Sequence, residues 1–194
     1  MLSSRMYWAL AHWRRGALRR WHTADKAAGT AMLLLGLVIA GFGLALHTHF
    51  AQGDQRQEAA REEVRRNLDC LARNVYFEAR GEPVAGMYAV AEVTMNRRAS
   101  RLYPATVCDV VYQRNWDPLR GRFVGAFSWT EFDSLPAPDG EAWERALEVA
   151  DAVYYRRASP TLQGSLHFHA AHIKPEWAKE RKLVARIGRH LFYR

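Results

Sequence analysis

Residues Ala27 to Leu46 read AAGTAMLLLGLVIAGFGLAL, a run without a charge, a proline or a strongly polar side chain. A buried helix of a soluble domain is the plain alternative, and uninterrupted apolarity on every face over this length argues against it. About 20 apolar residues at 1.5 Å each match the roughly 30 Å hydrocarbon core of a bilayer. The run therefore predicts one transmembrane helix over 27–46. A cleaved signal peptide is the competing reading. The basic segment in front is long for one, and the apolar run exceeds the roughly 7–15 residues usual there. The best small-x-small site, Gly43 to Ala45, lies inside the run itself. An uncleaved anchor is expected.

Charge decides the orientation. Residues 1–26 hold Arg5, Arg14, Arg15, Arg19, Arg20 and Lys26 against Asp25, which is a net +5 of the chain's formal +8. Cations flanking a span stay on the cytoplasmic side. The expectation is a basic cytoplasmic arm over 1–26, a single pass, and residues 47–194 outside. In a two-membrane bacterium this places the rest of the chain in the periplasm, on the bacterial inner membrane. Tyr7, Trp8, Trp13 and Trp21 among the arginines suit the headgroup surface. With most of the positive charge confined to this arm, nucleic acid is not an expected partner.

Beyond the span, residues 47–69 are polar and helix-forming, with Glu58 and Glu62 at helical spacing from Arg61, Arg65 and Arg66, and read as a stalk. Residues 70–194 hold the apolar periodicity of a packed domain. Helices are expected over CLARNVYFEA, over EPVAGMYAVAEVTMNRRAS with a stripe of Val84, Met87, Val90, Ala91 and Met95, and briefly over ATVCDVVYQR. EAWERALEVADAVYYRRA predicts another, with Trp143, Ala146, Leu147, Ala150 and either Val153 or Tyr154 on one side. GSLHFHA alternates like a short strand. The segment LRGRFVGAFSWTEFDSLPAPDG is expected as loop, and the tail PEWAKERKLVARIGRHLFYR as a helix and a terminal extended piece. This is a mainly α, α+β domain with a short β element. Nucleotide-binding, serine-hydrolase and H-E-x-x-H motifs are absent. Cys70 and Cys108, outside the cytoplasm, are either a disulfide joining the first domain helix to the third or two buried thiols.

Two acids close the first domain helix in VYFEARGE. Glu78 follows Val75, Tyr76 and Phe77, and a carboxyl desolvated by such neighbours keeps its proton to higher pH, as a general acid near neutrality must. A buried ion pair is the alternative for it. Glu82, between Gly81 and Pro83 at the start of the next helix, is expected to be structural, paired with Arg80 or capping.

The succession CLARNVYFEARGEPVAGMYAVAEVTMNRR, YPATVCDVVYQ, AFSW and HFHA…KPEWA…IGRHLFYR resembles the SleB-type cell wall hydrolase family, which includes the spore cortex-lytic enzymes. The resemblance runs from Cys70 to Arg194. It implies a lysozyme-like fold related to lytic transglycosylases, a peptidoglycan glycan strand as substrate, and the first Glu of E-A-R-G-E, here Glu78, as the catalytic residue. It implies no metal and no cofactor. Relatives with a second cysteine pair near the F-S segment have no counterpart here at Gly125 and Glu131, which leaves Cys70 and Cys108 as the implied pair. Where relatives show H-Y-H, this chain has His167, Phe168 and His169, so a tyrosine hydroxyl is not expected at that point.

A transglycosylase of this kind works with one carboxylate. Consistent with that, Asp109, Asp117, Glu131 and Asp133 are scattered in or beside expected loops and none is marked as a nucleophile. Gln113, Ser128, Trp129, His167 and His169 are the candidate cleft residues. Tyr76, Trp116, Phe127 and Trp177 are further aromatics able either to stack on sugar or to fill the core. Asn96 is expected to hydrogen-bond backbone. His167, His169 and His172 with Glu176 suggest a competing zinc-dependent N-acetylmuramoyl-L-alanine amidase. A non-catalytic wall-binding protein is the other alternative.

Overall fold

The computed structural model describes residues 4–118 and 120–194, with side chains from residue 25 onward. The arginines of the basic arm and its Tyr7, Trp8, Trp13 and Trp21 lie outside the described side chains. By internal contacts the chain divides into Met1–Ala59 and Ala60–Arg194.

Helix α1 runs Ser4–Ala79. Residues 27–46 are exposed throughout, and Leu33 and Leu37 show 71% and 69% of their surface. The helix is long and apolar enough to cross a membrane by length and composition. Thr30 and Thr48 donate their hydroxyls to the carbonyls of Ala27 and Ala45 three residues back, at 2.9 Å each, so neither leaves an unmet polar group in the helix.

The second unit begins within the polar stretch expected as stalk. Asn67 is already buried, and its Oδ1 accepts the backbone N–H groups of Val107 and Cys108 at 2.8 and 3.3 Å. Those are orphan donors at the start of α3 (Val107–Val111), whose other cap is the Thr106 hydroxyl accepting from Asp109 N. Cys70 and Cys108 form a disulfide across the same junction, Cα to Cα 5.2 Å.

Helix α2 (Val84–Ala99) separates two apolar clusters. Met87, Val90 and Ala91 pack with Leu71, Val75 and Tyr76 of α1, with Val107 and Val111, and with Ala146, Val149 and Ala150 of α4 (Gly140–Tyr154). Ala89 and Val93, on the other side of α2, meet Leu162 and Phe192. The expected stripes need two corrections. Val84 is 47% and Leu147 41% exposed, and Val149 takes the core place on α4 instead.

Two β elements differ from expectation. The glycine-rich segment expected as loop contains part of an antiparallel hairpin, β1 (Arg114–Asp117) with β2 (Arg122–Gly125), followed by a 3-10 turn at Ser128–Glu131. The tail forms only a short 3-10 turn at Glu176–Glu180 and then a second hairpin, β4 (Leu183–Ile187) with β5 (His190–Tyr193), to which β3 (His167–Ala170) adds in the order β3-β5-β4. Gly188, at φ 55°, supplies the left-handed residue of the tight β4–β5 turn.

Candidate active site

Glu78 lies on the last turn of α1, one turn after Asn74. Asn74 is fully buried; its amide donates to Thr94 Oγ1 at 3.0 Å and its carbonyl accepts from Trp129 Nε1 at 2.9 Å. One side chain thus ties together α1, α2 and the 3-10 turn, and fixes the ground on which Glu78 stands. The Glu78 carboxyl is mostly buried without being sealed, and among the described residues it makes no hydrogen bond. Burial pushes its pKa up to about 7, against the pull of the Arg97 charge. A carboxylic acid still protonated near neutrality results.

Arg97 is the buried cation of this site, 8% exposed. Its Nε donates to the Leu166 carbonyl at 2.8 Å, and its guanidinium lies 5.0 Å from the Phe127 ring centre and 5.4 Å from that of Tyr103. Burial lowers its pKa, while Tyr103 and Glu78 act in the opposite direction. The neighbouring Asn96 donates to the Ser165 carbonyl at 3.1 Å, so the end of α2 is stitched to the strand that carries His167.

Glu82, four residues on, is placed quite differently. Its side chain is 2% exposed, and both oxygens are occupied by Arg189, with Nε at 2.7 Å and the backbone N–H at 2.8 Å. Burial alone would raise its pKa; the Arg189 hydrogen bonds, with His190 and the Arg189 charge, outweigh burial and hold it below the ordinary value. Its partner is therefore Arg189 and not Arg80, whose guanidinium instead rests on Tyr76, 5.2 Å from the ring centre. Nor does Glu82 cap α2, whose N-cap is Pro83 without a side-chain bond. The glycines around it fit this arrangement: a Cβ on Gly188 would collide with Glu82 Oε2, and one on Gly86 would come within 2.9 Å of Glu82 Cβ.

The remaining candidates separate into two groups. His167 and His169 share one face of β3 beneath Trp177, at 5.6 and 5.4 Å between ring centres. Burial, then Arg181 and Arg97, lowers His167 to about 4, so it is neutral at physiological pH. His169 stacks on Tyr193 and its Nε2 lies 3.0 Å from the tyrosine hydroxyl. Gln113 and Ser128 sit at the base of the β1–β2 hairpin; Gln113 donates to Asn115 at 3.1 Å, and Ser128 is exposed. Trp129 does not belong to a cleft. It is 9% exposed, bonded to Asn74 and stacked on Phe77 at 4.7 Å, and so is a core residue.

No group of three or more His, Cys, Asp or Glu able to hold a metal is found among the described residues. His172 is exposed, and Glu176, at 85% exposure, gives both oxygens to Lys179. Two of the scattered acids are likewise engaged: Glu131 with Arg122 at 2.7 Å and Asp117 with Arg120 at 3.6 Å. A cavity of about 1000 Å³ between α2, α4 and residues 156–161 does not include Glu78. Its acid, Glu92, accepts the backbone N–H groups of Thr161 and Leu162 at 2.8 Å each and closes the loop.

Sequence reasoning missed Arg97, Asn74 and Arg189. For Asn74 a signal was present, a carboxamide within an otherwise apolar helical stripe. Arg97 and Arg189 carry no local mark.

Residues 81–193 match the family model described as Cell Wall Hydrolase; Glu78 lies just before the matched segment. The chain is similar to the spore cortex-lytic enzymes of Bacillus subtilis, at 32% identity over 126 residues, and of Oceanobacillus iheyensis, at 30% over 131. Each match covers 65% of this chain but only 37% and 41% of the relative, so the chain spans about two fifths of their length. Among solved structures it is similar to the catalytic domain of germination-specific lytic transglycosylase SleB from Bacillus anthracis. That match has a TM-score of 0.51 and 26% identity, and covers 66% of this chain and 93% of that one.

Proposed function

The chain belongs to the cell wall hydrolase family, and from that premise we propose that its domain cleaves the glycan strands of peptidoglycan as a lytic transglycosylase with Glu78 as sole acid and base. The observation that carries this reading is the Glu78 carboxyl, mostly buried on the last turn of α1 with no hydrogen bond among the described residues, a burial that pushes its pKa up to about 7 against the charge of Arg97. An acid of that strength is protonated in a useful fraction at neutral pH and is readily reprotonated after use.

In the proposed reaction Glu78 gives its proton to the oxygen linking N-acetylmuramic acid to N-acetylglucosamine, and the bond from that oxygen to the anomeric carbon breaks. The substrate's own acetamido group stabilises the positive charge left behind. The Glu78 carboxylate, its charge now favoured by Arg97, takes the proton from the C6 hydroxyl. That oxygen closes on the anomeric carbon as a 1,6-anhydro ring, and Glu78 returns to its starting state. The step consumes no water and needs no second carboxylate, and two of the scattered acids, Glu131 and Asp117, are bound to arginines. His167, neutral at the working pH, is suited to hydrogen-bonding sugar hydroxyls.

The apolar part of α1 serves in this reading as an uncleaved single-pass anchor, with the basic arm in the cytoplasm and the domain on the periplasmic face. Digestion of purified peptidoglycan followed by mass spectrometry tests the chemistry. Wild-type protein is expected to release anhydro-terminated fragments and Glu78→Gln none. Products ending in ordinary reducing sugars would contradict the transglycosylase route.

A further inference from the structure

Five aromatic side chains stood as able to stack on sugar, and the structure separates them. Tyr76, Phe127 and Trp129 are 4%, 3% and 9% exposed and belong to the core, Trp177 is half-buried against His167 and His169, and Trp116 is 56% exposed. Its partner across the hairpin is Phe123, 54% exposed, in direct register and with ring centres 5.3 Å apart. Cross-strand aromatic pairs ordinarily stabilise a sheet by facing a core. This one faces solvent on a two-stranded ribbon, where an apolar surface marks a contact made with something else.

We propose that the β1–β2 hairpin is a docking platform for the glycan strand, with Trp116 and Phe123 as its stacking surface. The proposal rests on the glycan-cleaving reading above. Three observations select the occupant. Two of the hairpin's cations are already neutralised, Arg122 by Glu131 and Arg120 by Asp117, and Arg114 donates to the Phe123 carbonyl. A ribbon left, among the described residues, with Arg114 as its one cation without an acid partner has little to offer an anionic bilayer or a nucleic acid. It suits a polymer with a backbone of uncharged sugars, whose rings present apolar faces to aromatic ones and hydroxyls to Asn115. Finally, the base of the ribbon packs against the helix that carries Glu78. Ala126 N donates to the Gln113 carbonyl at its base, Tyr112 meets the edge of Trp129 at 5.7 Å, and Trp129 stacks on Phe77, the residue before Glu78. The base is also stiff, since Gly125 N donates to Glu131 and a Cβ on Gly125 would collide with Thr130.

Co-sedimentation with purified, insoluble wall tests this, using full-length Glu78→Gln so that the polymer survives. Adding Trp116→Ala with Phe123→Ala is expected to weaken binding about tenfold or more, at an unchanged melting temperature, whereas Trp116→Tyr with Phe123→Tyr retains it. A folded double-alanine protein that binds wall as tightly as its Glu78→Gln parent overturns the proposal. So does shielding of Trp116 from an aqueous quencher by phosphatidylglycerol vesicles and not by wall, read as the difference between the parent and the double-alanine protein, which would make the ribbon a lipid contact. These failures leave wild-type wall cleavage intact. Wild-type protein that releases nothing from wall overturns the glycan-cleaving reading, and the platform with it.

Discussion

Glu78 and Glu82 stand four residues apart at the junction of α1 and α2, yet one is held protonated and the other ionised. Both are largely removed from water, so burial alone does not distinguish them. Partners do. Glu82 receives two hydrogen bonds from Arg189, whereas Glu78 faces Arg97 across space without a bond. Desolvation unanswered by hydrogen bonds produces an acid; the same desolvation answered by them produces a structural anion.

The largest expected effect breaks the pair functionally. Glu78→Gln should lower wall cleavage about a thousandfold or more, the scale of losing a general acid that also serves as base, measured by release of soluble fragments. Glu82→Gln should keep detectable cleavage where it remains folded. Replacing both Cys70 and Cys108 by Ser asks whether the acid's environment is local. Opening a loop with a sequence separation of 38 is expected to cost about 3–4 kcal/mol in urea unfolding. The fall of activity with rising pH should remain near 7, because the bond lies two turns before Glu78.

Stability should then separate the two carboxylates. Glu82→Ala removes the acceptor for Arg189 and is expected to destabilise the domain by about 2 kcal/mol at pH 7. Since the folded pKa of Glu82 is depressed, its contribution is present above the unfolded value of 4.5 and is lost as pH falls through the folded one. Glu78 has the opposite sign. Its folded pKa is raised, so it carries no penalty below 4.5; the penalty grows as pH rises from 4.5 to about 7, while only the unfolded chain ionises, and levels off above that. Glu78→Gln should accordingly be more stable than wild type by on the order of 3 kcal/mol at pH 8, with the difference gone at pH 4. Chemical denaturation at the two pH values measures this.

What could be read from the chain was what neighbours in sequence decide. The 27–46 run, the helical stripes through α2 and α4 and the greasy flank of Glu78 are all local, and each was visible. Arg189, 107 residues from Glu82, was not, because nothing in IGRH announces a partner in EARGE. The hairpins escaped for a related reason. β1 and β2 are short strands whose alternation is masked by Arg, Gly and Pro, and they form because Tyr112, Ala126 and Trp129 anchor their base. Trp129 looked like a cleft residue by type; the indole bond to a buried Asn74, 55 residues earlier, makes it core.

The most direct test is a carbon-13 NMR titration of the two carboxyls in the folded domain. Glu78 should titrate with a midpoint near 7, and Glu82 should remain ionised to below its ordinary value of 4.5. A Glu78 midpoint at or below 4.5 would contradict the account, since an acid already ionised at neutral pH has no proton to give the glycosidic oxygen.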